Sequence, residues 1–282
     1  MRLCGIRMAD ATRWVAEESP RGPLPIAGLD AFWADPAAAL AAWPQRSANA
    51  EPAADAVRIP PVRDAARVLC VGLNYRDHVA EGSYRDEPYP EHPTIFARWT
   101  ASLSVDGTPA PIPSGEDGLD WEGEVVAYLG RDLVDASPDE ARAAVMGYST
   151  FNDLTSRRAQ KLTSQWIVGK NGDRSGPLGP IVTADEVGDL RDGLEVTTRV
   201  NGELVQHGST RDLIYELGEV LSFVSHTMTL HAGDLVATGT PSGVGYSRTP
   251  PWLLQPGDVV TVEVERLGVL TTPIVDNAAR LP

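Results

Sequence analysis

The segment DWEGEVVAYLG, residues 120–130, places three acids at every second position directly before an apolar run. Residues two apart in a β-strand point to the same side, so Asp120, Glu122 and Glu124 are expected on one face. Unpaired carboxylates on a shared face repel each other and resist burial. This face is therefore either a solvated strand edge or the seat of a positive charge, at the mouth of a strand that enters the core.

A further acid favours the second alternative. GYSTFNDLTSRRAQ, residues 147–160, places Asp153 at the predicted end of another strand, before a helix-like stretch. Together with Glu122 and Glu124 it gives three carboxylates from two segments, the oxygen ligands that Mg²⁺ and Ca²⁺ prefer. No His or Cys clusters with these acids in the sequence, which makes zinc a poorer match. The pattern predicts a site for a hard divalent cation.

Two polar residues follow Asp153 at helical spacing. Arg157 is four residues further on and Gln160 seven, so on a helix the three side chains share one face. We interpret Arg157 as a residue whose guanidinium binds a substrate carboxylate through two hydrogen bonds, beside the cation. The alternative is a surface ion pair between Arg157 and Asp153.

The candidate general base lies in GLNYRDHVAEG, residues 72–82. His78 and Glu81 are three residues apart and share a face if this segment is helical. A carboxylate that orients an imidazole is a common way to make a base that works near neutral pH. The alternative is an exposed loop histidine.

Two loops supply further candidates. Lys170 lies in the Gly- and Pro-rich stretch QWIVGKNGDRSGPLGP and could stabilise an oxyanion, or it could be a solvated lysine. Thr240 lies in ATGTPSGVG, whose hydroxyl and backbone N–H groups could face an anion. That stretch is not a P-loop, because the Gly-Lys-Ser/Thr ending is missing.

Strands dominate the predicted elements, and helices are placed irregularly, which favours an α+β, β-rich fold over a regular βαβ alternation. Residues 1–62 are rich in Ala and Pro and are interpreted as a small N-terminal appendage and linker, followed by a catalytic domain over residues 63–282. The predicted elements are a strand in 67–75, a capped helix over 137–147, a hairpin over 197–206, a long amphipathic helix over 214–228 and a strand in 257–268.

Charge and composition exclude several classes of partner. With 24 basic and 39 acidic residues the net charge is −15, which argues against a nucleic acid or a membrane surface and leaves a small-molecule substrate. Cys4 and Cys70 form no disulfide or zinc pattern and suggest free thiols in a reducing compartment. The N-terminus lacks the apolar region of a signal peptide, and no apolar run is long enough for a membrane span. A cytoplasmic location is expected.

Taken together, the motifs resemble the fumarylacetoacetate hydrolase family. The matching words, in the family's order over roughly residues 67–275, are GLNYRDHVAE, DWEGEVVAYLG, GYSTFNDLTSR, QWIVGKN with PLGP, VNGELVQ, GDLVATGTPSGVG and LQPGDVVTVEVERLGVLTTPI. The resemblance implies a mixed β-roll or sandwich with peripheral helices, in a protein that is usually a homodimer.

The resemblance also implies roles for single residues. A divalent metal, commonly Mg²⁺ with Mn²⁺ or Ca²⁺ as alternatives, corresponds to Glu122, Glu124 and Asp153, while Asp120 stays outside the metal set. The catalytic positions match His78, Glu81 and Lys170, the substrate-contacting positions match Arg157, Gln160 and Thr240, and a lid matches residues 82–93. The sequence departs from the family where Arg98-Trp99 replaces a common Lys-Pro, and where Gly172 stands in place of an aromatic residue. Arg98 keeps the positive charge and is predicted to contact substrate.

Three hypotheses about function remain open at this point. The first is metal-dependent hydrolysis of a carbon–carbon bond in an acylpyruvate or related 1,3-dicarbonyl, through a stabilised enolate. The second keeps the same site for decarboxylation, tautomerisation or isomerisation of an oxo acid, because a fold does not fix a reaction. The third is a non-catalytic binding protein, which the full set of candidate residues disfavours.

Overall fold

The structure, a computed structural model, is described for residues 1–81 and 91–279. Residues 82–90 of the predicted lid over residues 82–93 therefore lie outside the described residues. Within the described parts, no helix has the length and apolar character needed to cross a bilayer.

The strands have the following bounds: β1 Arg2–Arg7, β2 Arg13–Glu17, β3 Leu24–Gly28, β4 Val57–Ile59, β5 Val68–Gly72, β6 Thr94–Arg98, β7 Leu103–Val105, β8 Ala110–Pro111, β9 Gly123–Leu129, β10 Val145–Asn152, β11 Gly176–Leu178, β12 Ile181–Thr183, β13 Glu195–Val200, β14 Glu203–Ser209, β15 Leu235–Ala237, β16 Val259–Val264 and β17 Gly268–Val275. The helices are α1 Leu29–Ala34, α2 Pro36–Ser47, α3 Arg76–Glu81, α4 Pro138–Arg142, α5 Arg157–Lys161, α6 Ile167–Lys170, α7 Ala184–Val187 and α8 Leu217–Ser225.

These strands form two sheets. The main sheet has 12 strands in the order β3-β2-β1-β12-β10-β9-β15-β5-β6, with β4, β7 and β11 joined at its sides. The second sheet has 5 strands in the order β14-β13-β16-β17-β8. Antiparallel and parallel pairs occur in both sheets, and the helices lie around them. The predicted α+β, β-rich architecture of mixed sheets with peripheral helices is confirmed.

The apolar run of β9 is explained by burial on both faces. Val125, Ala127 and Leu129 belong to a core cluster shared with α8 and the second sheet, whereas Val126 and Tyr128 belong to a cluster on the opposite face. A strand buried on both faces reads as a continuous apolar run rather than as an alternation. Glu122 and Glu124 therefore lie at one end of a central strand that is covered on both faces.

Residues 1–62 are part of the same body, which differs from the predicted appendage and linker. Strand β1 pairs with β12 of the main sheet, and β4 pairs with β1. Trp33 of α1 stacks on Tyr128 of β9 with ring centroids 6.1 Å apart, and it is 1% exposed. The N-terminal segment thus supplies part of the core beneath one face of β9.

Local predictions agree with the structure to different extents. The capping box of Ser137 and Glu140 is present, but α4 ends at Arg142 and β10 begins at Val145, so the predicted helix to 147 is too long. The hairpin between β13 and β14 turns at Asn201 and Gly202, which have φ of 51° and 86° as a type I′ turn requires. The predicted long helix over 214–228 is reduced to α8, and the strands in 67–75 and 257–268 are confirmed as β5 and β16.

Gly123, the residue between Glu122 and Glu124, allows the second sheet to approach β9 closely. A Cβ at this position would lie 2.3 Å from Thr198 Oγ1 and 3.0 Å from Val262 Cγ1. A side chain there would force Thr198 and Val262 to move, so the close approach of the second sheet to β9 depends on this glycine.

We expect Gly123→Ala to destabilise the protein by about 1–3 kcal/mol, because the added methyl group overpacks the interface between the sheets. The measurement is urea denaturation of the wild type, Gly123→Ala, Thr198→Ala and the double variant. Thr198 Oγ1 lacks a hydrogen-bond partner among the described residues, so Thr198→Ala alone should cost little. The double variant should recover part of the loss, and strictly additive effects would contradict the proposed clash.

Candidate active site

Three carboxylates meet where β9 and β10 leave the main sheet. Asp153 follows β10 directly, and its backbone N–H donates to the carbonyl oxygen of Glu122 at 2.8 Å. One carboxylate oxygen from each of Glu122, Glu124 and Asp153 lies within 4.8 Å of the others. The three residues are 5%, 2% and 0% exposed, respectively. The antiparallel pairing of β9 and β10 thus brings together two acids that are next-nearest neighbours and a third that is 29 residues away in the chain.

This donor set fits a hard divalent cation. Carboxylate oxygens are the ligands that Mg²⁺, Mn²⁺ and Ca²⁺ accept. Three carboxyl groups buried this close together are also stabilised by a nearby positive charge. Glu122, Glu124 and Asp153 would hold the ion. Within the described residues, no other group of three His, Cys, Asp or Glu side chains meets the same geometric requirement.

Lys170 binds two of these acids. Its Nζ donates to Glu122 Oε2 and to Asp153 Oδ2, at 2.5 Å each, and the residue is 2% exposed. Lys170 is the last residue of helix α6, not part of a loop as predicted. Burial alone would lower the pKa of Lys170, but the carboxylates of Asp153 and Glu122 raise it above the ordinary value, so the ammonium stays charged.

Glu122 and Glu124 differ in protonation. Burial would raise the pKa of Glu122, but Lys170 and Arg157 lower it to about 2. Burial raises the pKa of Glu124 well above its ordinary value, and the charges of Asp153 and Glu122 raise it further. Without a metal, Glu124 therefore holds a proton, while Glu122 is ionised.

Asp120 is neither a metal ligand nor a solvated acid. It is 0% exposed, and its Oδ2 accepts a hydrogen bond from Arg157 Nε at 2.7 Å. Its carboxylate also accepts from the backbone N–H groups of Gly245 at 2.7 Å and Tyr246 at 3.1 Å. The first acid of the DWEGE motif therefore fixes the loop after β15 against helix α5.

Arg157 adopts neither predicted role in full. Besides Asp120, its guanidinium donates to Glu122 Oε1 at 2.6 Å and to Gln160 Oε1 at 3.0 Å. It is thus paired with acids, but these are Asp120 and Glu122 instead of the predicted Asp153. Arg157 and Gln160 both line the cavity described below, so contact with a substrate remains open to them.

Arg98 is placed differently from the prediction that it contacts substrate. Its side chain is 0% exposed, and it forms an ion pair with Asp153 Oδ1, whereas Lys170 binds Oδ2 of the same carboxylate. The other four hydrogen bonds of the guanidinium go to Ser102 Oγ, Ser175 Oγ, Ser175 O and Leu154 O. All five N–H groups are used inside the protein, so Arg98 orients Asp153 instead of binding substrate.

His78 and Glu81 form the predicted pair on helix α3. His78 Nδ1 lies 2.8 Å from Glu81 Oε1. Glu81 Oε2 accepts from the backbone N–H of Gly243 at 2.7 Å and from Ser247 Oγ at 3.0 Å. Burial would raise the pKa of Glu81, but these hydrogen bonds together hold it below its ordinary value, so Glu81 is a carboxylate. A carboxylate on Nδ1 favours the tautomer that leaves Nε2 as the basic nitrogen.

One cavity of about 720 Å³ is lined by the His78–Glu81 pair, by two of the three acids and by Lys170. Its polar lining includes His78, Glu81, Glu122, Glu124 and Lys170. Its apolar walls include Val71, Phe96, Trp166 and Val244. A base, a cation and a metal-binding face therefore share a partly apolar cavity, which is the usual form of an enzyme site.

Thr240 also lines the cavity, but its hydroxyl has a structural use. It donates to the carbonyl oxygen of Gly123 at 2.9 Å and accepts from Gln206 Nε2 at 2.8 Å. The hydroxyl proton is therefore occupied, in contrast to the predicted contact with an anion. The backbone of Thr240 can still face a ligand.

Gln206 was not predicted as part of the site. This buried residue of β14 accepts from the backbone N–H of Gly123 at 3.0 Å and donates to Thr240 Oγ1 and Pro241 O, each at 2.8 Å. It ties the second sheet to the metal-binding strand and to the loop after β15. In the sequence Gln206 looks like any polar residue of a hairpin strand, because its partners are 83 and 34 residues away.

Comparison with known proteins gives a consistent result. The family model described as fumarylacetoacetate (FAA) hydrolase C-terminal matches residues 67–275. A curated relative, oxaloacetate tautomerase YisK of Bacillus subtilis (strain 168), is 39% identical over 219 residues, which are 76% of this chain and 71% of that protein.

Solved structures extend the similarity to the N-terminal segment. A 2-hydroxyhepta-2,4-diene-1,7-dioate isomerase from Mycobacterium marinum is 28% identical with a TM-score of 0.74, covering 98% of this chain and 99% of that one. Fumarylpyruvate hydrolase from Pseudomonas aeruginosa, in complex with Mn²⁺ and pyruvate, is 31% identical with a TM-score of 0.68, covering 78% of this chain and 92% of that one.

Proposed function

Since the chain belongs to the fumarylacetoacetate hydrolase family, we propose that it is a metal-dependent enzyme that moves a proton next to the carbonyl group of a 2-oxo acid. The reaction that the site supports best is keto–enol tautomerisation. The observation that carries the proposal is that the free nitrogen of His78, the ammonium of Lys170 and the acids Glu122 and Glu124 line one cavity. Similarity to an oxaloacetate tautomerase supports it further.

A divalent cation held by Glu122, Glu124 and Asp153 would supply Lewis-acid stabilisation of negative charge on the substrate oxygens. Mg²⁺ is our proposed ion, with Mn²⁺ and Ca²⁺ as alternatives, because all three accept oxygen ligands.

His78 performs the proton transfer in this proposal. Glu81 holds Nδ1, so Nε2 can take a proton from the carbon next to the carbonyl group and return a proton on the reverse path. Lys170 uses two of its three N–H groups on Glu122 and Asp153, and the third is available to the carbonyl oxygen on which negative charge develops. The proton that leaves carbon ends on that oxygen, so the keto and enol forms balance without a further reactant.

Hydrolysis of a carbon–carbon bond is the second candidate, and a specific observation supports it as well. The same His78–Glu81 pair can take a proton from water instead of from carbon, and the chain resembles a fumarylpyruvate hydrolase. Decarboxylation of a β-keto acid needs the metal site more than the base. NMR of the products from oxaloacetate and from an acylpyruvate, with Mg²⁺ present, separates the three reactions.

We expect His78→Ala to lower kcat for tautomerisation by about 10²–10⁴-fold, because general base catalysis contributes that much. Its affinity for Mn²⁺, measured by calorimetry, should stay at the wild-type value, because His78 does not bind the three acids. Arg76→Ala, a substitution on the same helix, serves as the control for damage to α3. A His78→Ala enzyme with wild-type kcat would rule out the proposed base.

A further inference from the structure

The chain contains two lysines among its 24 basic residues, Lys161 and Lys170, and all others are arginines. Both lysines line the candidate active-site cavity. Lysine presents a compact, mobile ammonium, whereas arginine presents a rigid planar fork. Use of lysine at these two positions, in a chain that otherwise uses arginine, indicates that a point charge is needed there.

The cations of the cavity differ in how they are neutralised. Arg157 is paired with Asp120 and Glu122, and Lys170 with Glu122 and Asp153. Lys161 has no carboxylate within salt-bridge distance among the described residues. Its Nζ instead lies 3.7 Å from the ring centroid of Tyr246, a cation–π contact. An aromatic face holds the ammonium in place without cancelling its charge.

The position of this pair is fixed by the site itself. Lys161 lies one turn after Arg157 on α5, so the two side chains are neighbours on the helix surface, about 5–6 Å apart at Cβ. The backbone N–H of Tyr246 is bound by Asp120, which also binds Arg157. Tyr246 also lines the cavity, and it is 40% exposed, which places the pair toward the opening of the cavity.

We propose that Lys161, held over the ring of Tyr246, binds the second carboxylate of dicarboxylic 2-oxo acids and so determines the preference for them over monocarboxylic ones. This inference rests on the proposed function of the same cavity. In this proposal the 2-oxo acid end binds at Glu122 and Glu124, and the distal carboxylate binds at Lys161, which lines the same cavity. Tyr246 contributes by limiting the positions that the ammonium can take.

The kinetic test compares substrates with and without the second carboxylate. Lys161→Met should lower kcat/KM for oxaloacetate by roughly 10- to 100-fold, mostly through KM, because a charge-assisted contact to the substrate is lost. Activity on phenylpyruvate, which has one carboxylate, should be unchanged. Lys161→Arg should restore part of the oxaloacetate activity, and Arg158→Met, which removes the adjacent positive charge of α5, is the control for a general loss of charge. Equal losses on the two substrates would overturn the proposal.

A binding test separates this inference from the proposed reaction. Amine acylation followed by peptide mass spectrometry can report on Lys161 and on the N-terminal amine, since Lys170 is buried. In Mg²⁺-loaded protein, 2-oxoglutarate should protect Lys161, whereas 2-oxopentanoate, which has a methyl group in place of the second carboxylate, should not. Protection of Lys161 without turnover of any oxo acid would support the carboxylate subsite and contradict the proposed function. Equal labelling with both acids would show that Lys161 is merely solvated.

Discussion

Glu124→Gln is expected to abolish productive metal binding while leaving the metal-free protein folded. Glu124 holds a proton in the metal-free protein because burial and the neighbouring carboxylates raise its pKa. A glutamine resembles that protonated acid in size, and it can still accept the hydrogen bond from the backbone N–H of Gly239, now 3.0 Å long. The metal, however, requires the ionised carboxylate. Replacing a residue that only hydrogen-bonds to a metal ligand typically lowers metal affinity by roughly 10–100-fold. Because Glu124 would itself be a ligand, affinity for Mn²⁺ should fall by more than this, and turnover should fall with it.

Calorimetric titration with Mn²⁺ and Mg²⁺ measures the affinity, and thermal unfolding in chelator measures the fold. The same titration has a pH signature. Because the bound state needs Glu124 ionised, metal binding to the wild type releases a proton, and affinity falls as the pH drops through the raised pKa of Glu124. Glu124→Gln should lose this proton release. Glu203→Gln, the same change on an exposed strand residue, is the control. Wild-type metal affinity in Glu124→Gln would show that the three acids are not the ligand set.

Arg98→Met is expected to cost about 3–5 kcal/mol of unfolding free energy, because it leaves the buried carboxylate of Asp153 without one of its two cations. The side chains of both residues are 0% exposed, so water cannot replace the lost charge. The carbonyl oxygens of Leu154 and Ser175 lose a donor at the same time. Arg98→Lys keeps the charge but cannot make all five hydrogen bonds, so its cost should lie between those of the wild type and Arg98→Met.

Urea denaturation in chelator gives these differences without a contribution from bound metal. Arg191→Met is the matched control, since Arg191 forms an exposed ion pair with Asp189 that solvent screens, and little change is expected. Similar unfolding midpoints for Arg98→Met and Arg191→Met would contradict the role assigned to Arg98. If Mn²⁺ restores the stability of Arg98→Met, the cation itself can replace the missing guanidinium as a partner of Asp153.

Features that depend on neighbours in the chain could be predicted from the sequence. The capping box of Ser137 and Glu140, the Asn201–Gly202 turn and the His78–Glu81 pair are set by residues three or fewer positions apart, and all appear in the structure. The acid set was also predictable, because Glu122 and Glu124 have strand spacing and Asp153 follows a strand. The order of family motifs gave the fold class.

Features that depend on distant partners could not be predicted in this way. Arg98 is 55 residues from Asp153, and burial with five internal partners turned a predicted substrate contact into a support for that acid. The length of α8 was overestimated because an apolar pattern at helical spacing continues beyond the helix. The length of α4 was overestimated because the residues from Val145 onward belong to strand β10.

The sequence by itself determined which chemical groups the site contains, since carboxylates, an imidazole and lysines keep their chemistry wherever the chain places them. The tertiary structure alone decided how these groups are paired. Asp120 pairs with Arg157, Lys170 pairs with two acids, and Lys161 contacts an aromatic ring and, within residues 1–81 and 91–279, no acid. The tertiary structure also placed strands β1 to β4 of residues 1–62 in the main sheet. The physical reason is that an unpaired charge is costly when it is buried, so each buried charge needs a partner that is close in space. Residues that are close in space can be far apart in the sequence, so local spacing does not reveal these partners.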